Sequence, residues 1–584
     1  MNFKDISTLH ITTELEVLRR DTQRYSSFLY QHKGVFFADN KRIGNDNQEE
    51  SGTKFINVLT KAKEENISLV LSPEYSCPKS VIDEIIANPE LQPSQQKLWA
   101  LGGESLNKEE LNYFTGLQNE NIHIHFEDGY TTSDKSYVDP LYYIFKGQHN
   151  GIDKLIILIQ FKTRHMGIWT EGADIERDNI IHGQSIYIIK NNITSTRLMS
   201  LICSEAMNFS EFLTQQKKDE ILWGDMPFLI LHPQINPDPS HQDFINFRRF
   251  ILNDEKKELI SLNWGKETYI GENNLYAKKG NTARSGIFFK SDQLNYSKDC
   301  IERKHNKGLY FLYINNNYKK YVFFLNSQIE LFHIEHNSVD INTGTLPQRR
   351  REGPQVLHIY NLLEDFKINN LVKVEDNHIV NLNERGIINT YFLDETKSII
   401  DKEILLNIST GKVKSKEQSR WCEIINLDSF SLCESDECNN RLTYIEDTYQ
   451  SSEQIRQLNC TSIIEIDQNI LPKPERYPHS IKHLKDKKIS LAYATNAMNF
   501  NYKYNIINYG GNLEKATICY VGSAVSPKVV EKAYDELQKL FDEESPGKDT
   551  VVVFYKHGNS ILEKSNHEAG AITKTPTSNN SITE

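Results

Sequence analysis

Three observations predict an α/β protein built on sheets covered by helices. Short apolar runs of strand length alternate with stretches whose apolar residues recur at helical spacing. The runs are apolar throughout, which suits strands buried on both faces. Three of them also end on a reactive side chain, where a strand gives way to a loop or helix.

Val35-Phe36-Phe37-Ala38 is a β-type run, Phe55, Val58, Leu59 and Ala62 share a helical face, and Ile67 to Leu71 is a second strand. Such a strand–helix–strand unit implies a helix-covered sheet. Ser80 to Ala87 is expected as helix, Leu98 to Gly102 as a strand, and Ile122 to Phe126 as an alternating strand. Further strands are expected at Leu141 to Phe145, Lys154 to Phe161, Ser185 to Ile189, Leu198 to Cys203 and Phe228 to His232. Ser240-His241-Gln242-Asp243 has the form of a capping box before a helix with Phe244, Phe247 and Ile251 on one face. Strands return at Leu259 to Trp264, Gly286 to Lys290, Leu309 to Ile314 and Tyr321 to Phe324. That total fits two sheets packed together.

The texture changes around Thr343 to Pro354, where Arg349, Arg350 and Arg351 lie among Pro and Gly residues. A charge run there reads as a solvated linker rather than an anion site. Further on, Ala516 to Val521 is a strand, Ser526 caps a helix with Pro527 in its first turn, and Val551 to Tyr555 is another strand. Val529, Val530, Ala533, Leu537, Leu540 and Phe541 are placed on one face of that helix. The Gly522-Ser523 turn before it reads as a plain connection rather than a phosphate site. The expected organisation is an N-terminal extension at 1–30, a first domain at 31–335, a linker at 336–355, a mixed α/β region at 356–565 and a disordered polar tail at 566–584.

A chain of 584 residues is expected to form two or three domains. Its net charge of -12 gives no general attraction to nucleic acid or an anionic membrane. The longest apolar stretch, Leu155 to Ile159 with Phe161, is too short to cross a bilayer, and the N-terminus has no basic leader followed by an apolar core. A cytoplasmic location is therefore expected, and its eight cysteines are expected as free thiols. Cys422, Cys433, Cys438 and Cys460 fall in one region without a Cys-x-x-Cys pair, so no metal is expected there, and no cofactor motif is recognised elsewhere.

The chemistry lies in three pieces: Ser72-Pro73-Glu74, Phe161-Lys162-Thr163-Arg164-His165 and Leu201-Ile202-Cys203-Ser204-Glu205. Each residue has a structural explanation by itself. Glu74 could cap a helix, Lys162 could extend to the surface, and Cys203 could be a core residue. Together they place an acid, an amine and a thiol at the ends of strands expected to lie side by side, where sites form in helix-covered sheets. Such a set can break a carbon–nitrogen bond through a thioester.

The order and flanking residues resemble the carbon–nitrogen hydrolase, or nitrilase, superfamily over about residues 30–330. Pro73-Glu74, Lys162-Thr163-Arg164-His165 and Ile202-Cys203-Ser204-Glu205 stand where that family has its glutamate, lysine and cysteine segments. Phe228 to His232, Arg248 and Arg249, and Asn263-Trp264-Gly265 are later echoes. The resemblance implies a four-layer α-β-β-α sandwich, a tendency to form homodimers or larger homo-oligomers, and Glu74, Lys162 and Cys203 as catalytic residues. It also implies a second glutamate after the lysine, which Glu171 would supply, and oxyanion or substrate-positioning roles for Ser204 and His165. The implied substrate is a small amide or, less readily, a nitrile.

Two relatives are set aside. Residues 340–584 lack the Ser-Gly-Gly-x-x-Ser type of phosphate loop found in glutamine-dependent NAD synthetases, and the chain lacks the spanning segments of membrane N-acyltransferases. The region 356–565 is expected to regulate the enzyme, bind a protein partner or complete the pocket. From a different functional class, the alternative is a weakly active or inactive sensor or scaffold of this fold within a multi-protein system.

Overall fold

The computed structural model describes residues 1–19, 24–165 and 171–363, with gaps at 238, 240, 255, 267, 271–281, 292–307, 316–317, 326–328 and 342–347. It also describes residues 365–370, 408–411 and 461–566, with gaps at 492–494, 497–498, 501–503, 509–513 and 542–543. The fold is mixed α/β with several sheets. Contacts divide it into one unit of Met1–Glu302 with Lys307–Lys373 and another of Arg303–Asn306 with Val374–Glu584.

In the first unit, a ten-stranded mixed sheet runs through Ile368–Asn370, Gln348–Leu362, Leu331–Ile341, Arg24–Tyr30, Leu69–Leu71, Leu98–Gly102, Pro140–His149, Ile152–Phe161 and Ile122–His125, with Ile11–Thr12 paired to one end of Pro140–His149. One face carries Phe28, Val70, Trp99, Tyr142 and Ile157. These pack against Phe55, Val58 and Leu59 of helix Gln48–Glu64, Val81, Ile82 and Ile85 of helix Lys79–Ala87, and Phe114 of helix Lys108–Gly116. The intervening residues Leu71, Ala100, Tyr143 and Leu158 are buried too, so the sheet is covered on both sides. Each such side chain removed from water contributes about 1.5–3 kcal/mol. Asn47 and Asn107 begin two of these helices by accepting the N–H of Glu50 and Glu110.

A six-stranded sheet follows, in the order Arg197–Ser200, Phe228–Gln234, Lys257–Asn263, Gly286–Ser291, Tyr318–Leu325 and Gly308–Asn315. Its first three strands are parallel, so their C-terminal ends lie together. Helix Gln242–Ile251 lies between two of them in sequence and buries Phe244, Phe247 and Ile251. His241 accepts the N–H of Asp243 at its start, and Ser240 of the expected capping box lies outside the described residues.

Three boundaries depart from expectation. Residues 1–30 are not an extension: Asn2–Asp5 pairs in parallel with Ser185–Ile188, and Arg24–Tyr30 lies between Leu331–Ile341 and Leu69–Leu71. Ser26 and Ser27 interrupt the apolar signal of that strand, and Ser27 is buried because its hydroxyl pairs with His336 Nε2 at 2.7 Å. Val35–Ala38 instead joins a small sheet with Ile43–Asn45 and Tyr269–Ile270. Residues 336–355 are not a linker, because Leu331–Ile341 and Gln348–Leu362 pair as antiparallel strands that set Arg349, Arg350 and Arg351 opposite Asp340, Val339 and Ser338. The next strand, Ile368–Asn370, pairs only with Tyr360–Leu362. Backbone hydrogen bonds make this ladder, so charged side chains along it leave little apolar alternation to read.

In the second unit, Lys515–Ser523 and Val551–His557 are parallel strands joined through helix Pro527–Gln538. Val530, Ala533, Leu537 and Phe541 are buried there, whereas Val529 is 46% exposed and lies off the face assigned to it. Ser526 stands at the helix start without a side-chain capping bond. The expected tail from 567 onward and Cys422, Cys433, Cys438 and Cys460 lie outside the described residues. Among the described residues, no helix is long and apolar enough to cross a membrane.

Candidate active site

Glu74, Lys162 and Cys203 meet, although not on neighbouring strands. Leu69–Leu71 and Ile152–Phe161 belong to the ten-stranded sheet, with Leu98–Gly102 and Pro140–His149 between them, while Cys203 follows Arg197–Ser200 of the six-stranded sheet. Gly102 makes room for the segment after Leu71, since a Cβ there would come within 2.1 Å of the Pro73 carbonyl oxygen.

Lys162 Nζ donates to Glu74 Oε1 at 2.6 Å and to Glu176 Oε1 at 2.5 Å, and Tyr75 Oη donates to that Glu176 oxygen at 2.8 Å. Asp139 Oδ2 lies 3.7 Å from the same ammonium. The other Glu74 oxygen accepts the Ile235 N–H at 2.8 Å, and Trp264 Nε1 donates to the Glu74 carbonyl at 2.6 Å. The ends of strands Phe228–Gln234 and Lys257–Asn263 therefore fix the acid. Asn263 steadies both, accepting the N–H groups of Asn236 and Trp264, each at 3.0 Å. The Cys203 thiol donates to the carbonyl of Ile235, whose N–H holds Glu74, at 3.7 Å, and it lies near enough to feel the Glu74 charge.

Five ionisable side chains are thus almost wholly buried around one cation. Burial pushes the Glu74 carboxyl up, against the pull of Lys162. Burial and the facing Glu74 charge push Asp139 up strongly. Burial works against the Lys162 ammonium, but Glu176, Glu74 and Asp139 outweigh it and hold its pKa well above the usual lysine value. Burial, then the Glu74 charge, raises the Cys203 thiol well above its ordinary range, with Lys162 opposing. The resting sulfur is therefore a protonated thiol beside a base, not a standing thiolate.

Cys203 has φ 40°, a left-handed backbone unusual for a side chain of its type, and it begins the short turn Cys203–Ala206. Its carbonyl meets His232 Nε2 at 3.0 Å, while His232 Nδ1 meets Ser261 Oγ at 3.0 Å. Burial pushes that imidazole down to about 4, so it is neutral at pH 7. Glu205 accepts the Ile202 N–H at 2.7 Å and the Thr163 N–H at 2.6 Å, joining the segments that carry Cys203 and Lys162. The Ser204 hydroxyl donates to the Arg164 carbonyl at 2.8 Å, whereas its backbone N–H donates to no acceptor among the described residues. That N–H and the Lys162 ammonium are the donors available to an oxyanion formed at the sulfur.

His165 is half-buried and turns towards His182, with Nδ1 and Nε2 3.2 Å apart. Glu171 opens the helix Glu171–Asn179, but its side chain and that of Arg249 lie outside the described residues. Arg248 is buried and donates to the Pro239 carbonyl at 3.0 Å. The sequence reading missed three residues. Asp139 stood visibly before an apolar strand, whose antiparallel partner ends at Lys162. Glu176 is one of several acids in a polar helix, and His232 was read only as a strand end; neither carries a local signal of its role.

No family model matches the sequence, and no curated protein matches it. Among solved structures, the chain is similar to a CN-hydrolase superfamily protein from Xanthomonas campestris whose crystal structure holds an arsenic adduct in the active site. The two are 12% identical with a TM-score of 0.26, and the match covers 46% of this chain and 83% of that one.

Proposed function

We propose that the first unit is a cysteine hydrolase that cleaves a non-peptide carbon–nitrogen bond, in an amide rather than a nitrile, in the four-layer sandwich arrangement of the nitrilase type. The observation that carries the reading is the buried Glu74 carboxyl, which pairs with the Lys162 ammonium and whose charge acts on the nearby Cys203 thiol.

Glu74 takes the thiol proton as sulfur adds to the carbonyl carbon, and the C=O electron pair moves to oxygen. Lys162 and the Ser204 N–H stabilise that oxyanion. Collapse re-forms C=O and breaks C–N, and the nitrogen leaves with the proton from Glu74. Glu74 then accepts a proton from water as its oxygen attacks the thioester, and returns it to sulfur as C–S breaks. Glu176 holds the lysine in place and is the second glutamate of the site, where the resemblance put Glu171. The enzyme works in the cytoplasm as a homo-oligomer, and the region beyond residue 373 serves regulation or partner binding.

The test is a panel of small amides and nitriles followed by ammonia release and intact mass spectrometry. An acyl adduct on Cys203, absent in Cys203→Ser, is expected. Iodoacetamide should also label Cys203 faster than the other thiols, and Glu74→Gln should slow it. Labelling of Cys203 no faster than that of the other thiols, unchanged by Glu74→Gln, would refute the assignment.

A further inference from the structure

Asp139 introduces strand Pro140–His149, directly opposite the end of strand Ile152–Phe161. Pro140 pairs with Phe161, and the Lys162 backbone N–H donates to the Asp139 carbonyl at 2.9 Å. This register carries the Asp139 side chain into the cluster, where it is 1% exposed. Among the described residues, no N–H or O–H donates to either of its carboxylate oxygens. The Lys162 ammonium, at 3.7 Å, is beyond hydrogen-bond reach. One carboxylate oxygen from each of Asp139, Glu74 and Glu176 lies within 4.8 Å of the others. Two carboxylates are both acceptors and cannot bond to each other, whereas a carboxyl and a carboxylate can.

We propose that Glu74 and Asp139 form a dyad sharing one proton at neutral pH, with Asp139 as the positioning residue that sets the basicity of Glu74. The inference rests on the reading of Glu74 as the base. Like charges this close do not both ionise in a dry site, and burial together with the Glu74 charge raises Asp139 strongly. The groups facing Asp139 are Glu74 and Tyr75 after one strand, Lys162 after another, Glu176 from its helix, and Tyr137. During turnover the S–H bond breaks and a Glu74 O–H bond forms, so the dyad briefly holds two protons. The departing nitrogen removes one, and the thioester half-reaction repeats the exchange with water. The dyad begins and ends with a single proton.

The test is the rate of iodoacetamide alkylation at Cys203 in the full chain across about pH 5 to 10, read by peptide mass spectrometry. The wild type is expected to show the dyad's ionisation within that range, with the buried thiol's own step beyond its upper end. Asp139→Asn, which keeps a neutral hydrogen-bonding group of the same size, should lose the dyad step and change the alkylation rate most where the wild-type dyad titrates. A variant profile that keeps the dyad step, or falls evenly at every pH, overturns the dyad. If Glu74→Gln does not slow alkylation, the base reading fails instead. If Asp139→Asn does not fold, infrared titration of the wild type decides: a protonated-carboxyl band must disappear at the pH of the alkylation step, and its absence at neutral pH overturns the proposal.

Discussion

Gln160 Nε2 donates to the Ser200 carbonyl at 3.1 Å, tying the strand that ends at Lys162 to the strand that leads to Cys203. The same side chain accepts from Tyr143 Oη and from the Tyr187 N–H, each at 3.2 Å. The amine and the thiol come from different sheets, so this amide ties their strands directly, as Glu205 and Ser204 tie the segments that follow.

Gln160→Leu leaves those donors and acceptors buried without partners. It should destabilise the fold by about 2–4 kcal/mol, seen as a lower urea midpoint with little change in slope. Cys203 alkylation should slow in the folded variant. An unchanged midpoint would show that the sheets are held without it.

Lys162→Met removes the cation from among three buried carboxyl groups. A loss of about 3–5 kcal/mol near neutral pH is expected. The orphaned carboxylates then bind protons more tightly folded than unfolded, so the variant should regain stability as pH falls and lose it as pH rises. Denaturation at several pH values would expose a flat difference, which contradicts this.

Glu205 is pushed up to about 7, with burial as the main cause. A raised folded pKa means the native state holds the proton between the unfolded value and about 7. Its contribution is fully present below about pH 4.5 and is lost as pH rises through 7, by about 3 kcal/mol at most. Glu205→Gln cannot titrate, so its stability relative to wild type should improve over that window. A constant difference from pH 4.5 to 8 would reject the assignment.

The left-handed backbone of Cys203 gives a fourth expectation. Cys203→Gly should be more stable than Cys203→Ala by about 1 kcal/mol, because only glycine adopts that conformation without strain. Thermal or urea unfolding of the two variants measures it, and equal midpoints would show that the turn carries no strain.

Much of the first unit was legible from local pattern. Leu98–Gly102 and helix Gln48–Glu64 with its buried Phe55, Val58 and Leu59 follow directly from periodicity. Arg24–Tyr30 did not, because buried Ser27 depends on His336 and half-buried Ser26 on Ser68, both outside the strand. The Arg349–Arg351 strand did not either, because pairing there is set by backbone groups that every residue shares.

From sequence alone, Glu74, Lys162 and Cys203 could be placed at the ends of buried strands, since an abrupt change from apolar to ionisable residues is a local property of the chain. Which ends converge, that Cys203 approaches from a second sheet, and that Asp139 and Glu176 complete the cluster were decided by tertiary structure. Strand order and register arise from contacts between residues far apart in the chain, 190 positions in the Trp264 bond to Glu74 and 309 in the Ser27 bond to His336, and neighbouring residues carry no record of them.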